Sequence, residues 1–138
     1  MSKILADTNI LGYATDRSSR FHQRSLDFLT SPVQIHLPSK VLVEFFAVVT
    51  RAPVSSLPLP VALSSIEWFI GQYPVIHPNA DSQRILWEMT RRHSLVGLRI
   101  HDGEIASIGL AHGIRRLATF NARDFAGIDG IEIVDLNS

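Results

Sequence analysis

The stretch Ile4-Leu5-Ala6-Asp7-Thr8-Asn9 decides how this chain is interpreted. A short apolar run that stops at an acid predicts a buried β-strand with a carboxylate at its C-terminal end. In open α/β sheets, ligands bind at the C-terminal ends of the strands. Asp and Asn are also favourable turn residues, so a purely structural role for Asp7 in the turn after the strand stays open.

Short apolar segments alternate with helical patterns along the rest of the chain. Besides residues 4–6, the segments that read as strands are 33–37, 73–77, 116–118 and 131–134. The segments that read as helices are 21–29, 40–50 with Ser39 as N-cap, 61–70, 81–93 and 102–112, while 54–60 reads as a loop. This alternation predicts an α/β fold in three layers, with a parallel sheet covered by helices on both faces. A length of 138 residues fits one domain, 1–138.

The composition limits the class of protein. Hydrophobic residues make up 46% of the chain and charged residues 19%, which predicts a packed core rather than disorder. No apolar run approaches the roughly 18 residues of a membrane span, and cysteine is absent, so we expect a cytoplasmic protein without thiolate metal sites. A balance of 13 basic and 13 acidic residues argues against a basic nucleic-acid coat, but it leaves room for a nuclease with an acidic pocket.

Glu44 is the only polar residue in the apolar segment 41–49. A helix that is apolar on every side is buried, and buried acids almost always have a partner. We therefore expect Glu44 either to form a salt bridge with an arginine or to bind a cation.

Asp102 opens a predicted helix whose positions 102, 106, 109 and 113 share one face. The last three are Ala, Gly and Gly, and small residues let a helix lie close against a sheet. Asp102 would then lie near the strand ends, although a plain N-cap is the alternative. Glu104 is expected to be a solvated acid of the first helical turn.

Asp124 follows the predicted strand 116–118 and the segment Thr119-Phe120-Asn121. Like Asp7, it therefore lies just past a predicted strand end, and it is the fourth candidate acid. The alternative is a loop acid that pairs with Arg123 or caps a turn.

Other kinds of site fit the sequence less well. A phosphatase of the haloacid dehalogenase type needs a second acid two residues after the first, where this chain has Asn9. There is no Gly-rich phosphate loop and no nucleophile-elbow Ser or Cys. The six histidines form no His-x-x-x-His pair, so zinc is weakly supported, and His101 is expected to be a surface residue.

The chain resembles PIN-domain ribonucleases, and most of all the VapC-type toxins of toxin–antitoxin pairs. The resemblance extends over nearly the whole chain. It rests on the order and spacing of four segments, 4–9, 41–46 around Glu44, 100–107 around Asp102 and 117–125 around Asp124.

The resemblance implies an endoribonuclease that depends on Mg²⁺ or Mn²⁺. Asp7 and Asp102 would be the most secure metal ligands, Glu44 would complete the cluster directly or through water, and Asp124 would be the fourth catalytic acid. Possible polar contacts in the active site are Asn9, Thr119 and Asn121. Some members have an acid in place of Asn121, and residues 103–104 also differ from the usual small or apolar pair.

The implied partners are an RNA substrate, a cognate antitoxin and a second copy of the chain as a homodimer, with no membrane. Trp68 and Phe69 are expected to pack in the core, the alternative being an interface. Arg51 and Arg123 are expected at the surface. Two other functions stay open: a housekeeping PIN nuclease in RNA processing, and a catalytically silent PIN module that binds RNA or protein.

Overall fold

The computed structural model describes residues 2–51 and 57–138. The elements in chain order are β1 (Lys3–Ala6), α1 (Thr8–Thr15), α2 (His22–Leu29), β2 (Gln34–Pro38), α3 (Ser39–Thr50), α4 (Leu59–Gln72), β3 (Val75–Ile76), α5 (Ala80–His93), α6 (Arg99–Ala111), β4 (Arg116–Thr119), a 3-10 helix (Ala122–Phe125) and β5 (Glu132–Asp135). Residues 54–56 of the predicted loop 54–60 lie outside the described residues, and α4 already begins at Leu59.

The strands form one five-stranded sheet in the order β3-β2-β1-β4-β5, and every neighbouring pair is parallel. Right-handed crossovers place α1 to α4 on one face and α5 and α6 on the other. The helix contacts agree, because α1 packs on α2 and α3, α3 packs on α4, and α5 packs on α6. The predicted three-layer α/β fold is confirmed.

The centre of the sheet is a topological switch point. The chain leaves β1 towards β2, whereas β4 pairs with the opposite edge of β1. The two strands end side by side, and the amide of Asp7 donates to the carbonyl of Ala118 at 3.0 Å. The crevice outside such strand ends is where open α/β sheets bind ligands.

Helix α3 is not buried on every side, contrary to the sequence-based expectation. Val41 and Phe45 are fully buried, but Val43 is 69% exposed and Val48 is 44% exposed. The reason is geometric: α3 belongs to an outer layer, so only one of its faces can contact the sheet and the neighbouring helices. An apolar residue on the other face stays at the surface of the chain.

Several element boundaries differ from the predictions. The sequence did not predict helix α1, because Asp7-Thr8-Asn9 is also a favourable sequence for a turn. Ser39 is the first residue of α3 rather than its N-cap, which is Pro38. The strand predicted at 73–77 is only two residues long, since Tyr73 still closes the end of α4.

The two aromatic residues of α4 have different environments. Phe69 is 2% exposed and meets Phe45 edge-on at 5.4 Å between ring centroids, as a core residue should. Trp68 is 53% exposed, so the expectation that both rings pack in the core is wrong for Trp68. Neighbours in a helix point about 100° apart, and Trp68 lies on the outer side.

Helix α6 lies close against β1 because its inner face has small residues. Ala106 is fully buried, and a Cβ added to Gly109 would overlap the side chain of Leu5 and approach the carbonyl of Ile114 at 3.1 Å. Gly113 follows the helix with φ +75°, in the expected C′ position. The predicted close approach of α6 to the sheet is confirmed.

None of the helices in residues 2–51 and 57–138 has both the length and the apolar character needed to span a bilayer.

Gly109→Ala should lower the free energy of unfolding by about 1–3 kcal/mol, because the new methyl group has no space between α6 and β1. Gly71→Ala is the matched control, since its Cβ meets nothing within 4 Å and it also lies in a helix. The control should be neutral or stabilising by up to about 1 kcal/mol. Urea unfolding of both variants measures the difference. Equal stabilities would contradict the close packing of α6.

Candidate active site

Four carboxylates line a single cleft of about 530 Å³ at the carboxyl edge of the sheet: Asp7, Glu44, Asp102 and Asp124. They come from four different elements, namely the end of β1, α3, α6 and the 3-10 helix after β4. The structure therefore brings together all four acids that the sequence singled out. Asn9 and Asn121 line the same cleft.

Asp7 is buried at the centre of this site, with 7% of its surface exposed. Its Oδ1 accepts a hydrogen bond from the amide of Thr8 at 2.8 Å, which makes Asp7 the N-cap of α1. Its Oδ2 accepts from the Thr119 hydroxyl at 2.7 Å and from Asn9 Nδ2 at 3.3 Å. The Asp7 carboxylate therefore has two roles: it caps the start of α1, and it lines the cleft.

Thr119 and Asn9 hold Asp7 in place. Thr119 is fully buried, and its hydroxyl also accepts from the amide of Asn121 at 2.9 Å. Asn9 Nδ2 reaches Thr119 Oγ1 at 3.4 Å, while Asn9 Oδ1 accepts from the amide of Phe120 at 3.3 Å. This network joins the start of α1 to the end of β4. It orients Asp7, whereas Asn121 is exposed at the cleft.

Glu44 is half-buried and accepts a hydrogen bond from the Thr8 hydroxyl at 3.1 Å. Within residues 2–51 and 57–138 it forms no salt bridge, so the expected arginine partner is absent from the described part of the chain. Sequence reasoning missed Thr8 as a site residue. Its position directly after Asp7 was the available signal, but the contact with Glu44 depends on α1, which the sequence did not reveal.

Asp102 is not an N-cap. Helix α6 begins three residues earlier, at Arg99, with the apolar Leu98 in the N-cap position, so Asp102 lies inside the first turn. Its carboxylate is therefore not used to cap the helix, and it lines the cleft.

Asp124 is exposed on the 3-10 helix, and in the described ranges it makes no ion pair with Arg123. Arg51, Arg123 and His101 are exposed, as expected. Glu104 is not the solvated acid that was expected: it binds Lys40 Nζ at 2.9 Å, and its side chain is 29% exposed.

The environment of the cleft disfavours the negatively charged forms of Asp7 and Asp102. Burial raises the pKa of Asp7 to about 6, although hydrogen bonds from Thr119 and Thr8 partly oppose the rise. Burial also raises the pKa of Asp102 to about 7, and the nearby charges of Asp124, Asp7 and Glu44 add to the increase. Strongly perturbed carboxyls in a cleft are typical of functional sites, because such a cluster is costly unless a positive charge offsets it.

The donor set fits a hard divalent cation. Carboxylate oxygens are the ligands that Mg²⁺ prefers, and Mg²⁺ is usually held by one or two carboxylates while it keeps several waters. In the part of the chain that the structure describes, no group of three or more acidic or histidine side chains converges closely enough to hold a metal ion.

A model of the PIN domain family matches residues 4–131, nearly the whole chain. The chain belongs to the PIN domain family. Comparison with curated protein sequences found no match.

Solved structures share the PIN fold at low sequence identity. The chain is similar to VapBC2 from Rickettsia felis bound to promoter DNA, with 21% identity, a TM-score of 0.73, and 96% and 98% of the two chains covered. It is also similar to DNA-bound VapBC from Salmonella typhimurium, with 24% identity, a TM-score of 0.71 and 99% of both chains covered. A third is Mycobacterium tuberculosis VapC20, described as a sarcin-ricin loop cleaving toxin, with 18% identity, a TM-score of 0.70, and 94% and 98% covered. At these identities the likeness establishes the fold alone.

Asp102→Asn should stabilise the metal-free PIN domain at pH 8 but not at pH 4. The pKa of Asp102 is raised from 3.8 to about 7 on folding, so the folded state binds more protons than the unfolded state in that window. The stability contributed by Asp102 therefore falls as the pH rises from about 4 to about 7. The advantage of the variant should grow over the same range and reach about 1–2 kcal/mol, after allowance for solvent screening of this partly exposed group.

Thermal unfolding in EDTA from pH 4 to pH 8 measures this difference. Asp27→Asn, at an exposed position of α2, is the control and should stay within about 0.5 kcal/mol of wild type. A difference between Asp102→Asn and wild type that does not change with pH would contradict the electrostatic account.

Proposed function

We propose that this PIN domain is a Mg²⁺-dependent endoribonuclease, with Mn²⁺ as a possible substitute, and that it is the toxin of a type II toxin–antitoxin pair. The observation that supports the activity most is the cleft itself. Four acids from four elements line it, and the pKa values of Asp7 and Asp102 are raised by burial and by the neighbouring negative charges. A domain without metal chemistry gains nothing from this arrangement, which costs stability.

The roles of the residues follow from their contacts. Asp7 and Asp102 would hold the metal, with Glu44 and Asp124 completing the site directly or through water. Thr119 and Asn9 fix the rotamer of Asp7, and the Thr8 hydroxyl orients Glu44. Bound Mg²⁺ would supply polarisation of the scissile phosphate and a water of lowered pKa for in-line attack.

RNA is the proposed substrate because of the similarity to VapC20, whose description names the sarcin-ricin loop as its target. Single-stranded or loop RNA fits an open cleft, since its unpaired bases and backbone are accessible. The cleft is not basic, so the contacts to the RNA backbone would come from its rim. We propose that the protein acts in the cytoplasm, where RNA and an antitoxin would be available.

An antitoxin is the proposed partner, because structurally similar chains occur in VapBC assemblies from Rickettsia felis and Salmonella typhimurium. A groove of about 280 Å³ between α1, α2 and α4 is lined mainly by apolar residues, including Leu26, Leu29 and the half-exposed Trp68. It adjoins the acidic cleft at Thr15, which lines both. A homodimer, implied by the family, is a further proposal. Co-purification with the product of an adjacent gene, and light scattering of the isolated chain, test the two assemblies.

The other two functions are less well supported. A housekeeping PIN nuclease would use the same cleft, and genomic context separates it from a toxin: a small neighbouring gene with a DNA-binding fold favours the toxin. A catalytically silent PIN module would have no need to bring Asp7, Glu44 and Asp102 into one cleft, since the raised pKa values of Asp7 and Asp102 lower stability at neutral pH.

The decisive experiment is cleavage of an RNA panel by wild type and by Asp7→Asn in Mg²⁺. Asn can still accept from the amide of Thr8, so the N-cap of α1 is retained while the negative charge is removed. We expect cleavage to fall by about 100-fold or more, because a metal ion contributes several kcal/mol of transition-state stabilisation. Asp27→Asn should cleave like wild type. Equal cleavage by wild type and Asp7→Asn would contradict the acidic-cluster mechanism, and a wild type that is inactive in both Mg²⁺ and Mn²⁺ would favour the silent module.

A further inference from the structure

One ion pair differs from the other ion pairs in the described part of the chain. Lys40 Nζ lies 2.9 Å from Glu104 Oε1, and the two side chains are only 17% and 29% exposed. The remaining pairs in residues 2–51 and 57–138 are longer, at 3.4–3.7 Å, and each includes at least one side chain that is 51–71% exposed. A short, partly buried pair is a charge-assisted hydrogen bond with a defined geometry, unlike a mobile surface contact.

The position of this pair is as distinctive as its geometry. Lys40 is the second residue of α3, one turn before Glu44, and Glu104 is two residues after Asp102 in α6. The two helices lie on opposite faces of the sheet. Helix α3 starts where β2 ends, and α6 runs antiparallel to the strands, so both helices begin at the carboxyl edge. The ion pair therefore crosses this edge from one helical layer to the other, beside the acidic cleft.

We infer that Lys40 and Glu104 are positioning residues, which fix the N-terminal halves of α3 and α6 relative to each other and so set the separation of Glu44 and Asp102. The two acids repel each other, and neither is tied to the other helix by a hydrogen bond among the described residues. Lys40–Glu104 supplies an attraction between the same two helices, within one turn of each acid. The inference rests on the proposed function in one respect, namely that these acids hold a divalent cation.

The first test measures positions in the metal-free protein, so it does not depend on activity. The chain has no cysteine, so Val43→Cys with His101→Cys gives two unique sites for spin labels, one on the exposed side of α3 and one at an exposed position of α6. Pulsed electron resonance should give one narrow distance in the parent protein. Lys40→Met and Glu104→Gln should each broaden or shift that distance, and the charge swap Lys40→Glu with Glu104→Lys should restore it.

The second test measures Mn²⁺ affinity by titration calorimetry. We expect each single variant to lose about 10-fold, the loss typical of removing a group that supports metal ligands, and the swap to recover most of it. Arg84→Met removes two exposed ion pairs within α5 and should leave both the label distance and the Mn²⁺ affinity unchanged. Lys40→Arg keeps the ion pair, so it should keep both the label distance and the Mn²⁺ affinity. It takes the place of the charge swap as the rescue variant if the swap does not fold.

Two results would overturn the inference: single variants that fold but keep the parent distance, or a changed distance with unchanged Mn²⁺ affinity. A wild type that binds no Mn²⁺ would instead refute the proposed metal chemistry. The label distances in the metal-free protein would then still decide whether Lys40 and Glu104 set the position of α3 relative to α6.

Discussion

The burial of the Asp7 carboxylate at the end of the central strand is the constraint on which the rest of the site depends. A buried acid needs hydrogen-bond donors, and this one has three: the first amide of α1, the Thr119 hydroxyl and the Asn9 amide group. Those donors belong to the helix that follows β1 and to the strand beside it. One side chain thus fixes how α1 begins and how β1 and β4 end, which is the geometry of the switch point.

The other acids are brought to Asp7 by packing rather than by mutual attraction. Helix α6 can approach β1 because Gly109 leaves room for Leu5, and this approach brings Asp102 to the cleft. Helix α3 packs through its inner face, with Phe45 in the core, which places Glu44 at the same edge. The repulsion among the carboxylates is then opposed by the hydrophobic core, so part of the stability of the fold is used to hold an arrangement that binding of a cation would relieve.

The sequence predicted the fold class, the small-residue face of α6 and the four acids of the cleft. Strand and helix periodicities are local signals, and so are an acid after a strand and a single acid in an apolar helix. The sequence did not predict α1, since Asp7-Thr8-Asn9 fits a turn and a helix start equally well. It also assigned the wrong roles to Ser39 and Glu104, and it started α6 at Asp102 rather than at Arg99. The roles of Ser39 and Asp102 depend on which residue begins a helix, and that of Glu104 depends on Lys40, which is distant in the chain. The local sequence pattern specifies neither the exact helix start nor a distant partner.

The central claim is that the acidic cleft of this PIN domain binds a divalent cation through Asp7 and Asp102. The most direct measurement is anomalous diffraction from crystals of the wild type soaked in Mn²⁺. We expect one strong anomalous peak in the cleft, within coordination distance of carboxylate oxygens of Asp7 and Asp102, with the remaining coordination positions filled by water. No peak in the cleft at saturating Mn²⁺, with Asp7 still bonded to Thr119, would contradict the claim.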